Sequence, residues 1–275
     1  PLIDVFSASS LQYGNFPEFI ADGSGGALFT WYSTSPLMAR AQWIDESGTV
    51  LLGSNGAAVT TESSMVHVSP AACMDLASGE VVVFWVRQNA SQSQAGVHAN
   101  RFNRKGDLLW GAEGIEVSPL SPSTTVLDLT ATPVDSLSVG SWIAAAVTGS
   151  GAVFAAARDA EGNAPWGSDP LAIGIPNIDR TDQSGVAAAG GFVSEWSDER
   201  SGPSRCYAQR VGPDGTLGGS GCAADLSGDG AIDGADLGLF LVEWGACTGC
   251  AADLTGDGFV DGADLGLLLT AWGPC

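Results

Sequence analysis

The feature that most constrains the fold is a duplication at the C-terminal end of the chain. The segment that starts at Cys222 recurs nearly unchanged at Cys250, an offset of 28 residues. The same offset relates every landmark of the two copies: Asp225 and Asp253, Asp229 and Asp257, Asp233 and Asp261, Asp236 and Asp264, Trp244 and Trp272, and Cys247 and Cys275. A repeat of this fidelity indicates two copies of one folded unit.

Each copy fits the twelve-residue EF-hand loop, in which oxygen ligands come from positions 1, 3, 5, 7, 9 and 12. Gly230 and Gly258 stand at position 6, where this loop turns sharply. The ligand positions of the first loop hold Asp225, Ser227, Asp229, Ala231 (through its carbonyl), Asp233 and Asp236. Those of the second loop hold Asp253, Thr255, Asp257, Phe259 (through its carbonyl), Asp261 and Asp264. Calcium is a hard cation that prefers oxygen ligands, so the sequence predicts two Ca²⁺ sites.

A short amphipathic helix is predicted after each loop, and none before it. Leu237, Phe240, Leu241 and Trp244 follow the first loop at helical spacing. This duplicated half EF-hand, with Asp at position 12, resembles the dockerin family, type I-like. It is most similar to a cysteine-framed bacterial variant whose halves end in Trp-Gly-x-Cys. The resemblance covers residues 222–275.

The resemblance implies secretion, two structural Ca²⁺ ions and docking onto a cohesin module. In better-known dockerins, loop positions 10 and 11 and the following helix select the cohesin. The matching residues here are Gly234, Ala235, Leu241 and Val242 in the first half, and Gly262, Ala263, Leu269 and Thr270 in the second. Polar pairs are more usual at positions 10 and 11. The expected partner is therefore either a cohesin-like module or a neighbouring copy of the chain.

The four cysteines of this domain favour an oxidising compartment. They allow three connectivities. We favour Cys247–Cys250 and Cys222–Cys275, because the first helix is expected to end beside the second loop in a pseudo-twofold arrangement. A bond from Cys222 to Cys247 would join a loop start to the far end of its own helix, beyond the Cα separation of about 6 Å that a disulfide spans.

The rest of the chain is built from four longer repeats of about 55 residues. Turn glycines mark them at Gly48, Gly106, Gly162 and Gly215. Upstream of these turns, apolar runs end at Trp31, Trp85 and Trp196, whereas the third repeat has the run 143–147 in that place. Such a period with about four strands per unit is typical of a β-propeller blade. The body also resembles bacterial propeller repeats with a Trp-x-Asp-x-Arg strand end and an Ala-Gln-Arg strand, kept best at 196–200 and 208–210.

The predicted fold is therefore mainly β. A β-propeller-like body of about four repeats covers residues 1–217, a linker covers 218–221, and a small α-helical, calcium-binding dockerin-like domain covers 222–275. The first residues match the tail of a repeat. This favours a ring of blades closed by an N-terminal strand, although the loss of blades upstream would also make the sequence begin at this point of a repeat.

The charge excludes one class of partner. The chain carries 10 basic and 31 acidic residues, a formal net charge of −21. Nucleic-acid binding depends on neutralising phosphates with Lys and Arg, so nucleic acid is excluded. No apolar run reaches the roughly 18 residues that a membrane helix requires, so no membrane span is expected.

No catalytic motif is recognised. The only two histidines, His67 and His98, stand inside alternating strand patterns that predict structural roles. Two spaced carboxylates can make a glycosidase, and Glu195, Asp198 and Glu199 are candidates, although structural roles at a strand end are preferred for Glu195 and Asp198. We therefore predict a secreted, non-enzymatic protein at the cell surface or outside the cell, with a body that binds polysaccharide or protein. The alternatives are a self-associating structural subunit of a fibre or surface assembly and, less favoured, a glycoside hydrolase.

Overall fold

The computed structural model describes residues 2–10, 18–75, 77–122, 124–146, 151–167, 170–174, 180–188, 191–198, 204–218, 223–227, 231–247 and 249–274. The chain divides into two compact units, Pro1–Gln209 and Arg210–Cys275, and each is described by itself. Within the described ranges, no helix combines the length and apolar character needed to cross a membrane.

Four antiparallel sheets follow one another along the chain from Glu18 to Val211, each with its strands in chain order. The first sheet consists of β1 (Glu18–Ala21), β2 (Ala27–Thr34), β3 (Leu37–Ile44) and β4 (Ala57–Ala58). The second consists of β5 (Val66–Asp75), β6 (Glu80–Gln88), β7 (Gln94–Phe102) and β8 (Ile115–Pro122). The third consists of β9 (Thr124–Val134), β10 (Leu137–Ala146), β11 (Gly151–Arg158) and β12 (Leu171–Ala172). The fourth consists of β13 (Arg180–Ala188), β14 (Gly191–Asp198) and β15 (Arg205–Val211). The prediction of a mainly β, propeller-like body is confirmed.

The four turn glycines lie where the sequence predicts turns. Gly48, Gly106, Gly162 and Gly215 have φ values of 84°, 84°, 88° and 86°. This left-handed region is one that glycine enters without steric cost. The turn at Gly48 is further held by Asp45, whose Oδ1 accepts hydrogen bonds from two backbone amides of the same turn. The repeats anchored on these glycines are therefore one blade each.

A buried tryptophan opposite a β-bulge marks the second, third and fourth sheets. The register shifts on the first strand of each sheet, opposite Trp85, Trp142 and Trp196 respectively. These side chains are 0%, 1% and 3% exposed. The prediction that the run 143–147 replaces the tryptophan in the third repeat is wrong, because Trp142 occupies that position. The number of residues between tryptophan and turn glycine differs among the repeats, which hid the match.

Apolar residues fill the first two seams between sheets. Leu28 and Trp43 of the first sheet pack with Val83 and Trp85 of the second. The opposite face of β6 packs against the third sheet in a separate cluster. The second sheet is therefore buried on both faces by its neighbours, as expected for successive propeller blades.

Residues 2–10 lie against the first sheet in the same way that β8, the last strand of the second repeat, lies against the following repeat. The Phe6 ring lies 5.4 Å from that of Trp31. A Cβ added at Gly48 would lie 3.1 Å from Ile3, just as one at Gly162 would lie 3.2 Å from Ile115 of β8. This agrees with the predicted match to a repeat tail. The predicted ring closure is not seen: no described strand pairing joins residues 2–10 to the fourth sheet.

The second unit has pseudo-twofold symmetry. Its elements in chain order are β16 (Ala231–Ile232), α1 (Gly234–Val242), β17 (Gly245–Ala246), β18 (Phe259–Val260), α2 (Gly262–Thr270) and β19 (Gly273–Pro274). β17 pairs with β18, and β16 pairs with β19, so each helix end lies beside the loop of the other half. Its fully buried side chains include Ile232, Phe240, Val260 and Leu268.

The predicted disulfide Cys247–Cys250 is present, with a Cα–Cα distance of 5.9 Å. Its predicted counterpart Cys222–Cys275 lies outside the described residues, and so does most of the predicted linker 218–221.

Candidate functional site at the inner-strand bulges

The seam between the third and fourth sheets is polar where the preceding seam is apolar. In the preceding seam, Phe84, which precedes Trp85, packs with Leu129, the second residue of the β9 bulge. One blade further, the equivalent positions hold Ser141, which precedes Trp142, and Gln183. Ser141 and Gln183 are 0% and 5% exposed. A buried polar pair thus replaces a buried apolar pair.

The side chain of Gln183 is held by a network of hydroxyl groups. Its Nε2 lies 2.7 Å from Ser141 Oγ, 2.9 Å from Ser194 Oγ and 2.8 Å from the carbonyl oxygen of Ser184, and shares its two N–H donors among these three acceptors. Ser141 Oγ also lies 2.8 Å from Thr130 Oγ1. Gln183 Oε1 is buried, and no donor among the described residues reaches it.

The first residue of the β9 bulge is an aspartate in a strained conformation. Asp128 has a φ of 47° and is exposed. Its Oδ2 accepts a hydrogen bond of 3.4 Å from the backbone N–H of Gln183. A left-handed backbone costs a residue with a side chain about 1–2 kcal/mol, and strained residues of this kind cluster at functional sites. Ser69, at the equivalent position of β5, has a φ of 49°.

The equivalent residue of the β13 bulge is Asp182, so aspartates stand at matching positions on two adjacent first strands. The side chain of Asp182 lies outside the described part of the chain. The hydrogen bond from the backbone N–H of Gln183, the residue after Asp182, to Asp128 brings the two bulges together.

Glu195 lies on β14 directly opposite Ser184. Its Oε1 accepts a 3.3 Å hydrogen bond from Ser184 Oγ, and Cys206 Sγ approaches its Oε2 at 3.8 Å. Phe84 and Ser141, its equivalents in the second and third sheets, are completely buried, whereas Glu195 is exposed. The residue before the buried tryptophan is therefore buried in the second and third sheets, whereas in the fourth sheet it is acidic and exposed and lies next to the bulge of β13.

The sequence candidates map only partly onto this site. Glu195 belongs to it. Asp198 ends β14, where its backbone pairs with Arg180, and Glu199 lies outside the described residues. Asp128 and Gln183 were missed. The signal that could have found them is a two-residue bulge repeated in three blades, whose second residue is Pro70, then Leu129, then Gln183.

The two histidines lie in the second sheet and make structural contacts. Trp85 Nε1 donates to His67 Nδ1 at 2.9 Å, and His67 Nε2 lies 3.0 Å from the carbonyl oxygen of Glu62. Burial lowers the pKa of both His67 and His98, that of His98 to about 4. Both rings are therefore neutral at neutral pH, in agreement with their predicted structural roles.

The second predicted calcium loop is described in full, and its carboxylates bind its own backbone. Asp253 accepts hydrogen bonds from the amides of Gly256, Asp257 and Gly258. Asp264 is completely buried and accepts from the amides of Thr255 and Asp261. Among the described side chains, no group of three or more His, Cys, Asp or Glu is close enough to hold a metal ion. The donor set nevertheless fits calcium chemically, because every donor is an oxygen.

The first loop shows the same arrangement where it is described. Asp236 is buried and accepts from the amides of Ser227 and Asp233, while Ser227 Oγ donates to Asp225 at 3.2 Å. Asp229 lies outside the described residues. Asp233 and Asp261 cap the two helices, each accepting from the amide two residues later. All eight predicted partner-binding residues are exposed: Gly234, Ala235, Leu241, Val242, Gly262, Ala263, Leu269 and Thr270.

Comparison with known proteins gives matches by fold. No protein-family model matches the chain, and no curated protein sequence matches it. The Hadza microbial sialidase Hz136 superposes with a TM-score of 0.51 at 13% identity, over 73% of this chain and 45% of its own. The α-L-arabinofuranosidase Arb93A from Fusarium graminearum, solved with an iminosugar inhibitor, superposes with a TM-score of 0.50 at 12% identity, over 78% of this chain and 72% of its own. At such identities the likeness establishes the propeller-like fold.

Both of these structures are carbohydrate-active enzymes, and this finding contradicts the prediction of a non-enzymatic protein. Two predictions are therefore wrong: that of a non-catalytic binding or assembly protein, and the alternative of a structural fibre subunit. The error has a physical reason. Two carboxylates on separate strands form a site without any local motif, so the sequence does not show which carboxylates come together.

Proposed function

We propose that the chain is a carbohydrate-active enzyme of the glycoside hydrolase type, whose propeller body acts on a polysaccharide. The observation that carries this proposal is the pair of equivalent bulges that place Asp128 and Asp182 on adjacent first strands. The propeller-like fold that the chain shares with a sialidase and an arabinofuranosidase supports it.

Glycoside hydrolysis requires two carboxyl groups that flank the scissile bond, one as acid and one as base or nucleophile. Asp128 is suited to the second role, because the amide of Gln183 fixes its carboxylate in an exposed position. Asp182, in the neighbouring bulge, is the candidate for the acid that protonates the leaving oxygen. Glu195 is the alternative acid, since it lies across from Ser184 on the adjoining strand.

The test is a reducing-end assay of the full chain on arabinan, xylan, galactan and sialyllactose. General acid or base catalysis contributes about 10²–10⁴-fold to a rate, so Asp128→Asn should lower kcat by at least about a hundredfold. Asp135→Asn is the matched control, because Asp135 is also exposed and has a φ of 52°, but lies in the turn after β9. If no substrate is cleaved, the proposed function is wrong; if D128N retains activity, the role of Asp128 is wrong.

We propose in addition that the second unit is a dockerin-like module that works outside the cell. The in-register loops, the capped helix after each loop and the exposure of all eight partner positions support it. One Ca²⁺ bound in each loop would offset half of the charge of its four carboxylates, and the side chains and carbonyls that the sequence assigns would hold it. The partner would be a cohesin-like module.

Calorimetry of the full chain in calcium and in chelator tests the metal sites. A ligand present at a hundred times its Kd stabilises the folded state by about 2.7 kcal/mol. The thermal transition of this unit should therefore rise in calcium, and Asp229→Ala with Asp257→Ala should abolish the rise. A cohesin-like module should then bind in calcium, and Leu241→Arg with Leu269→Arg should prevent binding. An unchanged transition would refute the calcium sites, and self-association without cohesin binding would refute the partner.

A further inference from the structure

The chain contains a segment outside any described sheet and a sheet with one strand fewer than the others, and the two match. Ile3 lies against Gly48 as Ile115 of β8 lies against Gly162. β8 is the fourth strand of the second sheet, whereas no described sheet includes residues 2–10. The first three sheets have four strands each, and the fourth has three within the described ranges. By position, residues 2–10 are a fourth strand, and the fourth sheet is the one that lacks it.

The repeats also give the register that the added strand should have. In each of the first three sheets, one alanine of the third strand lies opposite the fourth strand: Ala41, Ala99 and Ala155. All three are at most 1% exposed. Ala208 of β15 stands at the same distance before its turn glycine, but it is exposed. Because Ile115 lies opposite Ala99, its equivalent Ile3 should lie opposite Ala208.

Residues 2–10 are held on the first sheet of their own chain. The Phe6 ring lies 5.4 Å from that of Trp31, and the amide of Thr34 donates to the carbonyl oxygen of Ser10 at 3.2 Å. Successive first strands pack together from β1 to β5, from β5 to β9 and from β9 to β13. Among the described strands, no comparable packing joins β13 back to β1. Residues 2–10 can therefore reach a fourth sheet only together with the first sheet, which means the fourth sheet of another molecule.

The two faces that would meet in such a contact both expose apolar side chains. The face of the first sheet that carries Trp31 also carries Phe29 and Phe19, and Phe19 is 71% exposed. On the fourth sheet, Val186 of β13 is 61% exposed. In the second sheet, the equivalent of this face is buried against the next blade. The fourth sheet therefore presents a surface of the kind that a further sheet covers.

The same two faces carry opposite charges. Arg40 lies opposite Trp31 on the first sheet, with its guanidinium carbon 5.8 Å from the centre of the Phe6 ring. Glu195 shares its face of the fourth sheet with Val186. Within the described part of the chain, no acidic side chain forms an ion pair with Arg40 and no basic one with Glu195. Opposite charges of this kind favour one orientation of an interface.

We propose that the propeller body pairs with a second copy of the chain. The first sheet of one copy docks on the fourth sheet of the other, residues 2–10 add a strand to β15, and Arg40 pairs with Glu195. The interface joins two different surfaces, and two copies close when each copy provides both surfaces. The contact borders the candidate site, because Glu195 lies next to the bulge of β13. It would occupy the carboxylate of Glu195 and leave Asp182 as the candidate acid.

Cysteine cross-linking of full chains tests the register. Ile3→Cys and Ala208→Cys are prepared as separate chains, both with Cys206→Ser, because Cys206 is an exposed thiol on β15. Opposite residues of antiparallel strands have Cα atoms about 4.5–5.5 Å apart, a separation that a disulfide spans. After oxidation, the mixture should contain a linked dimer of twice 27.9 kDa, and neither variant should link by itself. Asp135→Cys, exposed in the turn after β9, is the control that should not link to A208C.

Light scattering over a range of concentrations tests the assembly. Wild type should have twice the mass of one chain. Val186→Arg should reduce it to the mass of one chain without a lower Tm, because Val186 is exposed in the single chain. Leu241→Arg with Leu269→Arg is the control in the second unit and should leave the dimer intact.

Three results would overturn the proposal. The first is a single-chain mass for wild type at every concentration, with no link between I3C and A208C. The second is a disulfide that forms only within one chain carrying both cysteines, because residues 2–10 would then close the ring of their own molecule. The third is a dimer that the second-unit variant dissociates and V186R does not. Cleavage of glycans is measured separately, so these results leave the proposed function untouched.

Discussion

His98 makes the folded propeller body sensitive to mild acid. Its ring centroid lies 5.9 Å from that of Trp85, and its side chain is only 12% exposed. Both ring nitrogens are buried, and no described residue forms a hydrogen bond with either. Burial is the main cause that lowers its pKa to about 4; positive charge on Arg87 acts in the same direction, as does His67 when it is protonated, and Glu62 opposes them.

The size of the effect follows from linkage. An unfolded histidine has a pKa of about 6.5. Between that value and the folded pKa of about 4, the unfolded chain binds more protons, so the free energy of unfolding falls as the pH falls. From pH 7 to pH 5 this one group should cost about 2 kcal/mol. The nearest carboxylate, Glu116 Oε2, is 3.9 Å from Nε2 and is more than half exposed, so it compensates little.

Urea unfolding of wild type and His98→Phe at pH 7 and pH 5 measures this contribution. Phenylalanine suits the site, because Phe154 holds the equivalent place beside Trp142, with ring centroids 6.2 Å apart. Carboxylates that titrate in this range affect both proteins and cancel in the difference. The stability of H98F relative to wild type should increase by about 2 kcal/mol at pH 5. A difference that does not change between the two pH values would refute a buried, neutral His98.

Two further predictions concern packing. Gly140→Ala should destabilise the body by about 1–3 kcal/mol, because the new Cβ would lie 2.7 Å from the ring of Phe84. Gly238→Ala on α1 should instead stabilise its helix by about 0.5–1 kcal/mol, because its new Cβ would have nothing within 4 Å. Chemical denaturation of both variants measures the two changes in the free energy of unfolding. Phe240→Ala should cost about 3–5 kcal/mol, because Phe240 is completely buried in the second unit; calorimetry of the full chain should show that unit's transition lowered or lost.

Features encoded by local chemistry were predictable from the sequence. The turn glycines need a left-handed backbone, and few other residues adopt it readily, so their spacing revealed four blades. The C-terminal duplication likewise predicted two helices, the pseudo-twofold arrangement and the Cys247–Cys250 bond, all of which are seen.

Features that depend on strand register were not predictable. Trp142 was missed because its distance along the chain from the turn glycine is not constant among the blades. Asp128 was missed because its significance lies in a bulge, and a bulge becomes visible only when the strand and its partner are aligned. Glu195 was named but judged structural, since its sequence does not show that the fourth sheet leaves it exposed.

The repeated blades provide an internal comparison that separates folding from function. Phe84 and Leu129 show that a seam of this fold closes with apolar side chains. Polar residues at these positions are not excluded, because the Thr30 hydroxyl in the first sheet donates to the carbonyl oxygen of Pro70 at 3.5 Å. Gln183 differs from Thr30 in that its side-chain oxygen is buried with no donor among the described residues, and in that its backbone N–H donates to the strained Asp128. An unpaired buried oxygen and a left-handed aspartate both carry a cost in stability, and departures from local rules of this kind are expected at functional or strained sites.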